Sequence, residues 1–274
     1  MDVINIFIRK RSDSFIIAAS AICIAICYSL LFICSKETLM RITSEDNWYE
    51  NITAIAFFLA AIVFTYLYFV SNKGNDFFLF KTKKNIFFLL LALLFIFGAG
   101  EEISWGQRIF GWNTPVDFSS HNLQHETNLH NLDFLQAEFY NKKGVLVEKK
   151  GLLHKLINEN TLMNVFWIGW TVLVPFLYHT NRKCRQFIEK INIPFGTVQV
   201  GIVIFINNML LHVVTRYMPF ANDLSVIHPV EVKECNVAIL FFALGIIIYK
   251  KERNIVTVQE VIKTTPAKDY KIAS

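Results

Sequence analysis

Glu101 and Glu102 follow directly on the apolar run Ile86–Gly100, which is 15 residues long. At ~1.5 Å per helical residue such a run covers about 22 Å, short of the roughly 30 Å hydrocarbon core of a bilayer. A helix that finishes the crossing therefore continues through Glu101, Glu102, Ile103, Ser104 and Trp105. Ionisable groups at that depth are costly, so they face a protein interior or a wet cavity and carry function. The helix dipole gives no relief, because a helix C-terminus disfavours anions. These carboxylates need a cation, a hydrogen-bond donor or a proton. Arg108 is the cation nearest in sequence, seven residues beyond Glu101 on the same side of a continuing helix. Three readings stand here: a buried structural Glu–Arg pair, an acid–base or metal-binding carboxylate, or simple exposure of a frayed helix end.

Other polar groups are expected at the same level. Asn208, His212 and Arg216 are spaced i, i+4, i+8 and form one stripe on an apolar helix, suited either to helix–helix hydrogen bonds or to lining a cavity. Glu231 and Glu234, spaced i, i+3, share a face behind Pro229. Glu45, Asp46 and Glu50 open another span, with Ser44 as a candidate N-cap. Acidic residues in a first turn also suit the helix dipole, which explains them without chemistry. The densest polar patch is His121–Asn131. Its His125, Glu126 and His130 form HExxxH, one residue too long for a zincin. Two histidines at i, i+5 point about 140° apart and cannot share a zinc. His121 and His125 at i, i+4 are only two ligands. A divalent cation held by Glu126, His130, Glu231 or Glu234 remains one reading, with no diagnostic spacing.

The stretch Glu101–Gly111 (EEISWGQRIFG) and the stretch Asn122–Asn131 (NLQHETNLHN) together resemble a recurrent set of uncharacterised bacterial multi-pass membrane proteins. Glu101, Glu102, Trp105, Gln107, Arg108, Asn122, Gln124, Glu126, Asn128, His130 and Asn131 fit that pattern. Glycine stands in it where this chain has His125, so the resemblance lends His125 no role. The resemblance implies a multi-pass membrane fold and a set of residues, and no reaction.

The elements that must bring these residues together are membrane helices. Hydrophobic residues are 54% of the 274, charged residues 18%, and mean hydropathy is +0.40, values that exclude a soluble domain with a single anchor. The spacing predicts an all-α polytopic helical bundle with six spans, at 15–34, 48–70, 86–105, 162–178, 198–217 and 229–249. Residues 1–253 form one membrane domain and 254–274 a polar cytoplasmic tail that frays. The first run lacks a small-residue cleavage site and is a retained span. Of 27 basic residues, 17 fall on the side of the N-terminus when loops alternate, so both termini are expected in the cytoplasm. The chemistry-bearing residues fall on the other side. The loop 106–160 is long, and its aromatic residues suggest short amphipathic helices capping the bundle. A turn is expected at Asn141–Gly144. The basic residues are scattered between spans, which argues against nucleic acid as a partner, and the five cysteines form no motif.

The function expected from these residues is an outer-face enzyme of the bacterial inner membrane. It would act on a lipid or lipid-linked saccharide by acid–base or metal-assisted hydrolysis or group transfer. Glu101 or Glu102 would be the base, with His130 or His212 as partner. Arg108, Arg216, Gln107, Trp105, Gln124 and Asn128 would bind substrate. The competing readings are a proton-coupled small-solute transporter and a non-catalytic membrane assembly factor.

Overall fold

The computed structural model describes the backbone of residues 2–44, 47–135, 138–140, 146–148, 151, 156–224 and 226–264, and the side chains of 13–44, 47–107, 109–135, 151, 156–158, 161–224 and 226–253. The chain is an α-helical bundle. Among the described residues, five helical stretches are long and apolar enough to cross a membrane: Asp13–Ile33, Lys36–Val70, Thr161–Thr180, Val198–Tyr217 and Pro229–Arg253. The first belongs to α1 (Asp2–Ile33). The second is two helices, a short α2 (Lys36–Thr43) and the apolar α3 (Trp48–Val70). Ser44 ends α2, and Asn47 takes the N-cap position of α3 expected for Ser44. Glu45 and Asp46, between them, lie outside the described residues.

The loop after α3 returns the chain into α4 (Ile86–Glu102), 17 residues long. α4 runs antiparallel to α3: Phe57 stacks on Phe95 and Phe64 on Phe88, with ring centroids 5.9 and 6.3 Å apart. The span expected over 86–105 stops early. Ile103 leaves helical geometry at φ −102, ψ 18, and Ser104, Trp105 and Gly106 follow with φ of 45, 54 and 79°. Left-handed backbone at two non-glycine residues in a row is unfavourable and persists only where surrounding contacts enforce it. Here the reversal folds the Trp105 indole back over Gly100, where a side-chain methyl would stand 2.9 Å from Cε3. A continuing helix that aligns Arg108 with Glu101 is therefore absent, and the Arg108 side chain lies outside those described.

The long loop after α4 carries α5 (Gln107–Phe110), α6 (Val116–Ser120), a turn-rich segment to Leu135 and a small antiparallel pair, β1 (Glu138–Tyr140) and β2 (Leu146–Glu148). Among the described residues, α5 and α6 are much shorter than an amphipathic cap of surface helices requires. The cap over residues 121–135 is instead a knot of side-chain hydrogen bonds. The turn expected at Asn141–Gly144 lies outside the described residues.

The chain re-enters the bundle through α7 (Glu159–Ile168), a π turn at Gly169–Leu173 and α8 (Val174–Thr180). The wide turn precedes Pro175, which has no N–H to donate and would clash in a regular helix. An amphipathic helix, α9 (Arg182–Ile191), lies between α8 and α10 (Val198–Tyr217), and α11 begins at Pro229 and runs to Thr264. The tail expected to fray after Arg253 thus continues as helix for eleven residues, and 265–274 lie outside the described residues.

The core is aromatic. Phe64 and Phe241 each lie 5.5 Å from Phe95, and Trp170 lies 6.3 Å from it, all measured between ring centroids. α11 is the central helix, with Val232, Ala238, Leu240, Phe241, Leu244 and Ile248 almost wholly buried. Asp13 of α1 and Lys251 of α11 line one cavity, so these two residues lie at the same end of the bundle.

Candidate functional site

The site lies at the other end, where α4 breaks. Glu101 is 4% exposed and its carboxylate receives donors on both oxygens. Trp105 Nε1 donates to Oε1 at 2.6 Å, and the backbone N–H groups of Leu129 and His130 donate to Oε2 at 2.6 and 2.7 Å. His130 Nδ1 stands 3.4 Å from the same oxygen. Every partner is a donor, so the surroundings are built for the carboxylate anion. Glu101 thereby pins the loop to the end of α4 and orients His130. The imidazole's other nitrogen, Nε2, lies 3.0 Å from Asn131 Nδ2. An amide nitrogen is only a donor, which leaves Nε2 as acceptor and puts the ring proton on Nδ1, facing Glu101. Carboxylate, imidazole and an acceptor nitrogen in line are the arrangement of an oriented general base.

The remaining polar residues of the loop hold the loop. Asn122 is buried; its Oδ1 accepts from the N–H groups of Gln124 and Glu126 at 3.0 and 3.1 Å, and its Nδ2 donates to Asn128 O at 2.8 Å. Asn128, 1% exposed, donates to Ser104 Oγ and Glu126 Oε2, both at 3.2 Å, and Ser104 Oγ also donates to Glu126. Gln107 Oε1 accepts from Thr127 N at 2.8 Å and from Thr114 Oγ1 at 3.1 Å. Gln124 Oε1 accepts from Asn131 Nδ2. His125 has φ 61, the left-handed region that glycine favours.

Beside this knot opens a cavity of about 350 Å³. Its walls are apolar: Phe57, Leu94, Phe95, Phe97, Gly98, Leu129, Leu135, Leu162, Met163, Phe166 and Phe241. Glu101, Glu102, His130 and Glu234 supply its polar groups. A smaller cavity of about 60 Å³ shares Phe57, Glu102, Met163 and Glu234, and adds Asn164, Asn208 and Lys233. Lys233 Nζ lies 3.1 Å from Glu234 Oε1. α3, α4, α7, α10 and α11 thus all contribute to one polar end above an apolar pocket.

The expected set is therefore brought together only in part. Glu101, Glu102, His130 and Glu234 converge. His212 and Arg216 do not: both are exposed on α10, and the Arg216 guanidinium sits 5.9 Å from the Tyr217 ring centroid. Their stripe follows Asn208 outward along the helix, but only Asn208 reaches the smaller cavity. Trp105, Gln107, Gln124 and Asn128 position the loop and line neither cavity. Arg108 falls outside the described side chains. Of the expected metal ligands, Glu126 faces Ser104 and Asn128, and Glu231 lines neither cavity. Among the described residues, no three His, Cys, Asp or Glu side chains are grouped so as to hold a metal ion. Lys233 and Asn164 are additions that sequence reading passed over. A lysine between Glu231 and Glu234 at the start of an apolar helix is the signal that could have found the first. Compared with family models, curated proteins and solved structures, the chain matches none.

Proposed function

We propose that this is a multi-pass protein of a bacterial inner membrane whose outer face carries an enzyme site for a lipid or lipid-linked saccharide. The reaction we infer is hydrolysis or group transfer with acid–base assistance. The observation that supports it is the 350 Å³ cavity, apolar along its walls and bearing Glu102, His130 and Glu234 at its polar end. Such a pocket suits an amphiphile, with its chain against the phenylalanines and its reacting group beside the imidazole. Leu94, Phe97 and Leu162, which line the cavity, are 40–50% exposed on surfaces of membrane helices, which favours entry from the bilayer side.

In this reading a bound substrate displaces Asn131 Nδ2 from His130 Nε2, which then takes the proton of an attacking water or hydroxyl. Glu101 holds the imidazolium that forms, and His130 or Glu102 returns a proton to the leaving oxygen. Lys233, beside Glu234, is the described cation nearest to a phosphate at this end. No step is routed through a metal. Transport has less support, because the aromatic stack of Phe64, Phe95, Trp170 and Phe241, two of whose rings wall the cavity, presents apolar rings and not polar partners to an ion. The assembly-factor reading draws on the loop's self-contained hydrogen bonding, which a purely structural cap would also need.

The test is complementation of a deletion strain with Glu102→Gln and His130→Asn, read by lipid and glycan profiling. Both variants are expected at wild-type level in the membrane, yet accumulating the same lipid species as the deletion. Full restoration of the wild-type profile by both variants would refute the enzyme reading. Loss of the protein itself in both would favour the structural one.

A further inference from the structure

The opposite end of the bundle presents a feature that the proposed site does not use. Between α3 and α4 the chain makes a tight hairpin, Asp76–Lys81, closed by a bridge between its ends, by Phe77 N donating to Phe80 O at 2.9 Å and by a 3.0 Å ion pair between Lys81 and Asp76. Phe77 folds inward against Phe87 of α4, with ring centroids 5.8 Å apart. Phe78 and Leu79 at the tip are 96% and 85% exposed. Two large apolar side chains so bare are costly in water.

The hairpin is also held rigidly. Asp76 N donates to Lys190 O at 3.3 Å, Lys73 Nζ to Glu189 O at 3.2 Å and Asn75 Nδ2 to Ile191 O at 2.8 Å, which ties the loop to α9. Asn85 Nδ2 closes the other edge on Asn192 O at 2.9 Å. Gly74 permits the fold, since a methyl there would meet Thr82 O at 1.8 Å. α9 buries Ile188 and Ile191, exposes Phe187 and carries Arg182, Lys183 and Lys190 on its exposed face. Loop and helix together form one face: an exposed apolar tip with Lys73, Lys81 and Lys190 near its base beside Asp76 and Glu189, and with Arg182 and Lys183 exposed farther along α9, on the end of the bundle that also holds Lys251.

The geometry points to this face as a binding surface for anionic phospholipid headgroups. The Phe78–Leu79 tip is seated at the boundary of headgroup and acyl chain, and Lys83, Arg182 and Lys183 lie among the phosphates. Charge complementarity selects this occupant. A protruding apolar tip beside a basic helix face is what an interfacial anchor on a negative leaflet requires.

The experiment uses the full chain in nanodiscs. Phe78→Trp is introduced and its emission taken as the difference from wild type. Quenching by lipids brominated on the upper acyl chain, without quenching by aqueous iodide, is expected. Quenching by iodide, or protection from both quenchers as in a contact between two copies, overturns the proposal. A second arm measures phosphatidylglycerol retained by protein purified from mixed phosphatidylglycerol and phosphatidylcholine. Lys83→Gln/Arg182→Gln/Lys183→Gln is expected to lose the enrichment seen in wild type, with unchanged helical circular dichroism and elution. Equal enrichment in both proteins overturns the assignment of the basic residues.

Discussion

Glu101 and Glu102 are neighbours in sequence with different surroundings. Glu101 spends both oxygens on Trp105, Leu129 and His130, while Glu102 is half-buried and borders both cavities. Replacing Glu101 by Gln removes the charge and turns an amide N–H₂ toward an existing donor on one side of the clamp. Hydrogen bonds to charged groups are worth about 1.5–3 kcal/mol each, so Glu101→Gln is expected to lower stability by about 2 kcal/mol. The measurements are thermal unfolding in detergent and the rate of proteolytic nicking within 121–135, which should rise. An unchanged midpoint and nicking rate would refute the clamp. Glu101 was legible as exceptional because its position denied it the helix dipole. The roles of Gln107, Gln124 and Asn128 were not legible. An amide side chain serves a ligand or a loop backbone equally well, and only the fold shows Gln107 spending its oxygen on Thr127 N and Thr114.

At the level of elements, the apolar runs located the membrane helices to within a few residues, because burial in lipid demands both length and hydrophobicity. The end of α4 was misread for the same reason: bilayer thickness argued for continuation to Trp105, whereas packing between Trp105 and Gly100 decides for a reversal. Left-handed φ at Ser104 and Trp105 is a tertiary outcome that neither residue's own preference announces. Gly100 is therefore the residue on which the break depends. Gly100→Ala sets a methyl 2.9–3.0 Å from three indole carbons, and the ring must move and strain its bond to Glu101. Overpacking of this kind costs about 1–3 kcal/mol. The penalty should largely disappear in a Trp105→Ala background, since the clash partner is gone, and a double-mutant cycle on the unfolding midpoint reads the coupling. Additive effects of the two substitutions would show that the helix ends at Glu102 for another reason.

At the scale of the whole chain, parity of crossings decides the topology. Asp13, near the start of the first membrane stretch, and Lys251, near the end of the last, line one cavity. A chain that begins and ends at the same face must cross an even number of times. Five stretches meet the length and composition of a span, which would leave those residues on opposite faces. We propose that α4 supplies the missing crossing: it is 17 residues long and returns antiparallel along α3, with Phe95 beside Phe57 and Phe88 beside Phe64. The shortness of α4 follows from its outer end, where Glu101 and Glu102 face the protein interior instead of completing a lipid-exposed turn. Six crossings would also put Lys73, Lys83, Arg182, Lys183 and Lys251 on the side of the N-terminus, in keeping with the rule that basic loops stay in the cytoplasm. Reporter fusions at the two termini and at Asp117 test this directly. A cytoplasm-active fluorescent protein should be bright at both termini, and a periplasm-active phosphatase should be active only after Asp117. Opposite readings at the two termini would mean that α4 does not cross. The carboxylates of α4 and the glutamates of α11 could then no longer share one outer face, so this single parity measurement also bears on whether Glu102, His130 and Glu234 form a site at all.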